Sequence, residues 1–413
     1  MATLGYSIVL PILVYLVARL GGNAVVYGVM GATYSFFQLI GAPVLGRWSD
    51  RVGRKRILLL SQAGTAVSWA LFLAALALPM TPIASARSSI LGAFTLTVPL
   101  VVVFIARALD GITGGNVSVA NAYLADITND RDRAADFGKL ALSANLGFIV
   151  GPALAGLLGA TAWGEAGPVV GALLISTMAC GMIVTWLGDT GATRSVRHMT
   201  PRGATAVLGQ EPKDCYLGTG AHRPSTGSIL ALPGVALLLL LDLLVFLVFN
   251  VFYVAMPMHL ARTLAWPLPE TGLYFSVMSI LMVVVEGPVL GWAARQWSER
   301  TLVIGGGLVL AVSFLFFVSS SVAVLYAGAA VLALGNGLMW PSLLALLAKA
   351  AGKDVQGAVQ GLSGSAAALA SIFGLLLGGV LFERIGADVF LLAAGITAVT
   401  CLISLRIGAR VSR

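Results

Sequence analysis

Residues 46–56 read GRWSDRVGRKR, and five of these eleven residues are Arg or Lys. The stretch sits between two long apolar runs, with one acid, Asp50, among its cations. Reading outward from it decides the fold. The flanking runs have the length of a bilayer crossing, which takes about 20 apolar residues at ~1.5 Å of rise each. The whole chain agrees: of its 413 residues 58% are hydrophobic and only 10% charged, against roughly a quarter charged in soluble domains. The sequence therefore describes an integral membrane protein rather than a large soluble core.

Twelve helices are expected, at about 3–20, 25–46, 57–78, 97–124, 138–160, 168–188, 229–257, 272–294, 301–320, 322–346, 356–381 and 387–406. The period-two alternation of a membrane-spanning barrel is absent. Lys and Arg set the orientation. One side collects Arg47, Arg51, Arg54, Lys55, Arg56, Arg131, Arg133, Lys139, Arg194, Arg197, Arg202, Lys213, Arg223, Arg295, Arg300, Lys349, Lys353, Arg406, Arg410 and Arg413. The other has Arg19, Arg87, Arg262 and Arg384, and only Arg107 stays inside a span. By the positive-inside rule the Gly46–Arg56 stretch and both termini are cytoplasmic. The same bias accounts for the net charge of +8 without nucleic acid as a partner.

The polar stretch 189–228 reads as a cytoplasmic linker between an N-terminal bundle, 1–188, and a C-terminal bundle, 229–413. The two look duplicated. APVLGRWSDRVGRKR (42–56) lines up with GPVLGWAARQWSERT (287–301), Pro11 with Pro257, and GFIVG (147–151) with GLLLG (374–378). The last match has a smaller offset, which fits an extra outer segment near 80–96 in the first half. Repeats related by an axis along the membrane normal are a transporter plan with its site near midplane. Within the opening stretch, Gly46 is expected to allow close helix approach and Gly53 a tight reversal. Arg51, Arg54 and Lys55 anchor the turn at the membrane surface, and Asp50 is expected to act as a gate against a helix of the other half.

GRWSDRVGRKR resembles the signature loop between helices two and three of the major facilitator superfamily. Residues 106–159 resemble its drug:proton antiporter branch, most closely the tetracycline-efflux type. The resemblance implies two six-helix bundles of an all-α membrane protein, alternating access, and a cytoplasmic latch in the opening stretch. It places Arg107 on a helix-four Arg implicated in proton transfer. Gly147, Gly151, Pro152 and Gly156 fall on the antiporter motif of helix five. The resemblance does not extend to three acids of the tetracycline type, whose places fall near Ala2, at Ser68 and near Gly305 or Gly306. It therefore does not carry tetracycline as the substrate. Because helix one starts beside Met1, a start further upstream is one reading of the first missing acid.

Charge inside a span is costly, so each such residue is a functional candidate. Arg107 and Asp110 are three apart and can pair across one turn; Gly114, Ser118 and Asn121 are expected to continue their face. Asp242 interrupts LLLLLDLLVFLVF, with Phe246, Phe249 and Tyr253 near the same face. An acid beside aromatic rings suits an apolar cation, and a membrane-buried carboxyl suits proton exchange. Glu286 precedes Gly287-Pro288, where a kink is expected. The proton-coupling set is Arg107, Asp110, Asp242 and Glu286, with a buried structural carboxylate as the plainer reading of each acid. Gln38, Asn116, Asn121, Asn145, Asn250, Asn336 and Trp340 are the further cavity candidates. Gly147 and Gly151, and likewise Gly374 and Gly378, are small-residue packing faces.

Other chemistries find no support. Cys180, Cys215 and Cys401 have no ligand spacing and form no disulfide framework. No phosphate-binding loop, zinc motif or nucleophile elbow is present, so neither an enzyme nor a cofactor is expected. The expected function is export of a hydrophobic, cationic or amphiphilic small molecule in exchange for protons, by a monomer in the bacterial inner membrane. Its rivals are a metabolite carrier of the same fold, for a sugar, organic acid or siderophore, and a non-transporting membrane receptor.

Overall fold

The computed structural model describes residues 2–88, 91–114, 116–128, 133–188 and 226–407. The first half holds α1 (Ala2–Arg19), α2 (Ala24–Val52), α3 (Arg54–Ala77), β1 (Pro82–Ser88), β2 (Gly92–Thr97), α4 (Val98–Thr113), α5 (Asn116–Ile127), α6 (Arg133–Gly159) and α7 (Ala166–Trp186). The second holds α8 (Thr226–Leu230), α9 (Val235–Met258), α10 (Leu268–Val284), α11 (Leu290–Gln296), α12 (Glu299–Phe316), α13 (Val322–Ile385) and α14 (Val389–Ser404). Among the described residues, eight helical stretches are long and apolar enough to cross a membrane. Each of the twelve expected segments contains a helix, with breaks at 114 and 231–234 and non-helical residues at several of the expected ends. The linker from 189 to 225 lies outside the described residues.

The helical run of α13 hides a reversal. Trp340 packs its ring on Phe246, while Gly374 lies against Leu247 and Asn250. A straight helix would hold residues 340 and 374 ~51 Å apart, yet both meet the same part of α9. The chain doubles back between them, so α13 supplies two arms and both line α9.

Two expectations are corrected, and a third is given its form. The basic stretch is not a loop: Gly46–Val52 is the last part of α2, α3 begins at Arg54, and Gly53 alone makes the turn at φ 110°. That backbone conformation favours glycine. Helix four is two helices, α4 and α5, because α4 ends at Thr113 with Gly114 as its cap. The Arg107 face therefore does not run on unbroken to Asn121. The extra segment near 80–96 is a β-hairpin, with Ser85 opposite Thr95 and Arg87 opposite Ala93. It is tied to the α1–α2 turn by Thr95 N–H to Gly21 O at 2.8 Å and by Thr97 hydroxyl to Leu20 O at 2.8 Å. Asn23 caps α2 by accepting from Val26 N–H, and its amide donates to Leu91 O at 2.7 Å. One capping residue thus starts a helix and holds the hairpin.

At this hairpin end the two halves are pressed together. A Cβ on Gly28 would strike the carbonyl of Leu375 in α13, and one on Gly272 in α10 would lie 2.7 Å from the Cα of Gly156 in α6. Tyr15 on α1 donates to Trp266 O at 2.7 Å and also pairs with the Thr271 hydroxyl at 2.6 Å. Glu383 on α13 accepts from Ala24 N–H at 3.2 Å and from Arg262 at 2.7 Å. At the opposite, basic end, the pairs run within one half. Arg54 binds Asp50 at 2.5 Å and Asp126 at 3.1 Å, and Lys349 binds Glu299 at 2.5 Å.

One helix reports the divergence. Gly28 and Gly46 are eighteen residues apart, five turns of ~3.6 residues, and so share a face of α2. Gly28 is packed hard against α13, whereas a Cβ on Gly46 would meet nothing within 4 Å. The expected close approach at Gly46 is therefore absent among the described residues, whereas Gly28 at the hairpin end is in contact with the other half.

Candidate functional site

The buried ion pair forms as the spacing predicts. Arg107 and Asp110 lie 3.3 Å apart on α4 and are both buried. Two partners come from elsewhere: the Tyr34 ring of α2 lies 4.4 Å from the guanidinium carbon, and the Thr65 hydroxyl of α3 hydrogen-bonds Asp110. A charge pair removed from water needs such added partners, and the cation–π contact supplies one. The pair ties together three helices of the first half. Gln38 donates to the Tyr34 hydroxyl and to Gly114 O at 3.1 and 3.3 Å, so it extends this cluster. Asn121 is half-buried on α5. The side chains of Asn116, Ser118 and Asn145 lie outside the described residues.

Asp242 is different. It is fully buried, on α9 between the two arms of α13. Its Oδ2 accepts from the Ser363 hydroxyl at 2.6 Å, and its Oδ1 has no hydrogen-bond partner among the described residues. No described cation pairs with it. One turn on, Phe246 meets Trp340 edge to face at 4.4 Å. Phe249 and Tyr253 form a second edge-to-face pair at 4.9 Å. The Asn250 amide donates to its own helix at Phe246 O, 2.7 Å, which leaves it a packing residue beside Gly374. Asn336 is buried on the first arm of α13, one turn from Trp340.

Glu286 lies in a π-helical turn, Val285–Val289, between α10 and α11. The expected Pro288 kink takes this form, and such turns cluster at functional sites. The carboxylate is half-buried, and its Cγ is 3.5 Å from where a Cβ on Gly337 would lie. The helix-five motif splits its work. The Ser7 hydroxyl of α1 donates to Gly147 O at 2.7 Å, and Gly151 abuts Ser7. Gly156 and the carbonyl of Pro152 face Gly272 of α10. Asp50 meets Arg54 of its own turn rather than a helix of the other half.

Four participants were not foreseen from the sequence: Tyr34, Thr65, Ser363 and Glu383. Ser363 stands in a stretch of Gly, Ser and Ala interrupted by Leu362 (361–368) that reads as simple helix packing. Glu383 sits at a helix end, where a charge is ordinary.

With this geometry in view, comparison with known proteins is direct. The model of the Major Facilitator Superfamily matches residues 1–240 and again 238–411. The chain is 26% identical over 387 residues to the class D tetracycline resistance protein of Salmonella ordonez, covering 92% of this chain and 86% of that one. It is similar in structure to a D-xylose–proton symporter, with TM-score 0.71, 14% identity and 99% and 97% of the two chains covered. It is also similar to the human organic anion transporter MFSD10, with TM-score 0.64, 19% identity and 98% and 96% covered.

Proposed function

Because the chain belongs to the major facilitator superfamily and is a multi-pass membrane transporter, we propose that it is a proton-coupled antiporter. Its cargo is a hydrophobic, cationic or amphiphilic small molecule, exported by alternating access. The observation that carries this is the state of Asp242. A lone carboxyl, fully buried one turn from the Phe246–Trp340 pair and with no described countercharge, is costly as an ion. It becomes stable when it holds a proton or when a cation lies against it. Those two conditions are the two loads of an antiporter.

In this reading the two bundles, 1–188 and 229–413, rock about the 189–228 linker. The basic end is cytoplasmic, as are both termini, and the hairpin end is outside. A monomer in a bacterial inner membrane is sufficient. Entering from the basic end, the cargo reaches the neighbourhood of Phe246, Phe249, Tyr253 and Trp340. Their ring faces attract an apolar cation, and its charge displaces the proton from Asp242. Glu286, half-buried in its π-helical turn, is the second carboxyl for that exchange. Asp110 is already matched by Arg107 and Thr65, with Tyr34 against the Arg107 guanidinium, and serves as a fixed hinge of the first bundle. The tetracycline relatives are consistent with drug export, but their acids are replaced here, so the cargo is set by the aromatic pairs.

The test uses purified full-length protein in liposomes with a trapped pH dye and an imposed proton gradient. Tetraphenylphosphonium, tetracycline and xylose are added in turn. The expected result is proton release triggered by the lipophilic cation and lost in Asp242→Asn. Cation movement without proton flux would make the protein a facilitator and return the carboxylates to structural roles.

A further inference from the structure

Asp242 has one described hydrogen-bond partner, and that partner is on the helix that also joins the two halves. Ser363 lies on the second arm of α13, buried, with its hydroxyl 2.6 Å from Asp242 Oδ2. Twelve residues along the same arm, ~18 Å by helical rise, Leu375 is packed against Gly28 and Gly31 of α2. Beyond it, Gly379 abuts Ala24, and Glu383 accepts from Ala24 N–H. A single helical arm thus touches the candidate coupling acid at one end and the closed hairpin end at the other.

We infer that Ser363 is the positioning residue of the coupling carboxylate. Its hydroxyl clamps Asp242 to the second arm of α13, so that the load on Asp242 is transmitted to the contact between the halves. This rests on the antiport reading above. The chemistry is specific. A serine O–H donates to either form of the acid but strengthens toward a carboxylate. Loss of the proton therefore tightens the clamp, and arrival of a cargo cation at the vacant Oδ1 competes for the same charge. A helix that moves as a unit carries such a bias between sites when both ends make discrete contacts.

Other charges do not complicate this. Among the described elements packed on α9, Arg19 of α1 binds Glu165, Asp50 of α2 binds Arg54, and Glu383 and Lys349 of α13 bind Arg262 and Glu299. His259, on the π-helical turn after α9, reaches Ser319 O at 3.5 Å. Arg47, Arg51 and Arg384 are exposed, and no described cation pairs with Asp242. α8 and α14 contain no charged residue. The side chains of Lys353 and Asp354 lie outside the described residues.

The experiment is a pH profile of tetraphenylphosphonium-driven proton flux in proteoliposomes, for wild type, Ser363→Ala, Ser363→Thr and Ser363→Cys. Losing a donor to the carboxylate favours the protonated form. The half-maximal point should therefore move about one pH unit upward in Ser363→Ala, as expected for a charge-assisted hydrogen bond. Ser363→Thr should restore the wild-type profile, and Ser363→Cys, a weaker donor that fills the same space, should fall between. Equilibrium binding of the cation to the ionised acid at fixed high pH should tighten rather than weaken in Ser363→Ala, because the competing donor is gone. Profiles of Ala and Cys variants that superimpose on wild type would overturn the role of Ser363 alone. No proton flux in wild type would instead overturn the antiport reading. If Ser363→Ala does not fold, the Cys variant decides by the same criterion.

Discussion

Gly28 and Gly46 occupy the same face of one helix, and the molecule treats them oppositely. At Gly28 the backbone of α13 leaves no room for a single carbon; at Gly46 there is nothing within 4 Å. Identical chemistry at two heights on α2 separates a closed end from an open one. The lesson is that a glycine in a transporter helix need not be explained by the conformation in view. Gly28 serves the arrangement seen here, and in the alternating-access reading proposed above Gly46 would serve one in which the basic end has closed instead.

The largest effects should come from filling these two places. Gly46→Leu fits the structure as it stands and should fold normally. It should block closure of the basic end, and transport should fall at least tenfold while cargo still binds from that side. Gly28→Leu should do the reverse. Overpacking of this kind costs about 1–3 kcal/mol, enough to push the hairpin end open. Spin-label distances across each end would read both outcomes. Equal transport by wild type and Gly46→Leu would mean that the basic end never closes around α2.

Next in size is the junction at Glu383. Its carboxylate joins the second half to the start of α2, beside Gly92 of the hairpin. Glu383→Ala strands Ala24 N–H and Arg262 together. Both hydrogen bonds are partly exposed, so a loss of about 1 kcal/mol is expected. That is roughly a fivefold shift toward opening of the hairpin end, measurable as faster labelling of a cysteine placed at Thr271. An unchanged labelling rate would reduce Glu383 to a local pair with Arg262.

How much of this was legible beforehand depends on the range of the signal. Membrane helices follow from composition, because the bilayer imposes length and apolarity on every span. The Arg107–Asp110 pair was legible because it is three residues long. The reversal at Gly53 was legible for the same local reason. The hairpin was not: PIASARS and GAFTLT are short, and their pairing depends on the Gly21 and Asn23 groups that receive them. Ser363 was hidden because its meaning comes from Asp242, 121 residues away in sequence. The break at Gly114 was missed because the apolar pattern of α4 continues into α5, and the pattern alone does not register a cap.

A third, smaller test concerns Asp50. Here it pairs with Arg54 in its own turn, and its side chain is more than half exposed. Removing that pair in Asp50→Asn should cost under about 1 kcal/mol of stability. If Asp50 also meets the other half when the basic end closes, transport should drop several-fold while cargo binding to this arrangement stays the same. A matching small loss in both would confine Asp50 to shaping the turn.

The smallest effect is expected where the basic end is held together within one half. Lys349 and Glu299 join α13 to α12 at 2.5 Å, with both side chains partly exposed. Neither partner crosses between halves, so their pairing should not distinguish an open basic end from a closed one. Glu299→Gln should lower thermal stability by under about 1 kcal/mol and leave both the spin-label distances and the transport rate near wild type. The contrast with Glu383 is then direct: each glutamate pairs with a basic side chain of the second half, but Glu383 also reaches across the molecule to Ala24 N–H. A shift of the basic-end distances in Glu299→Gln would show that bending within the second half, and not rocking of one half against the other, sets how far that end opens.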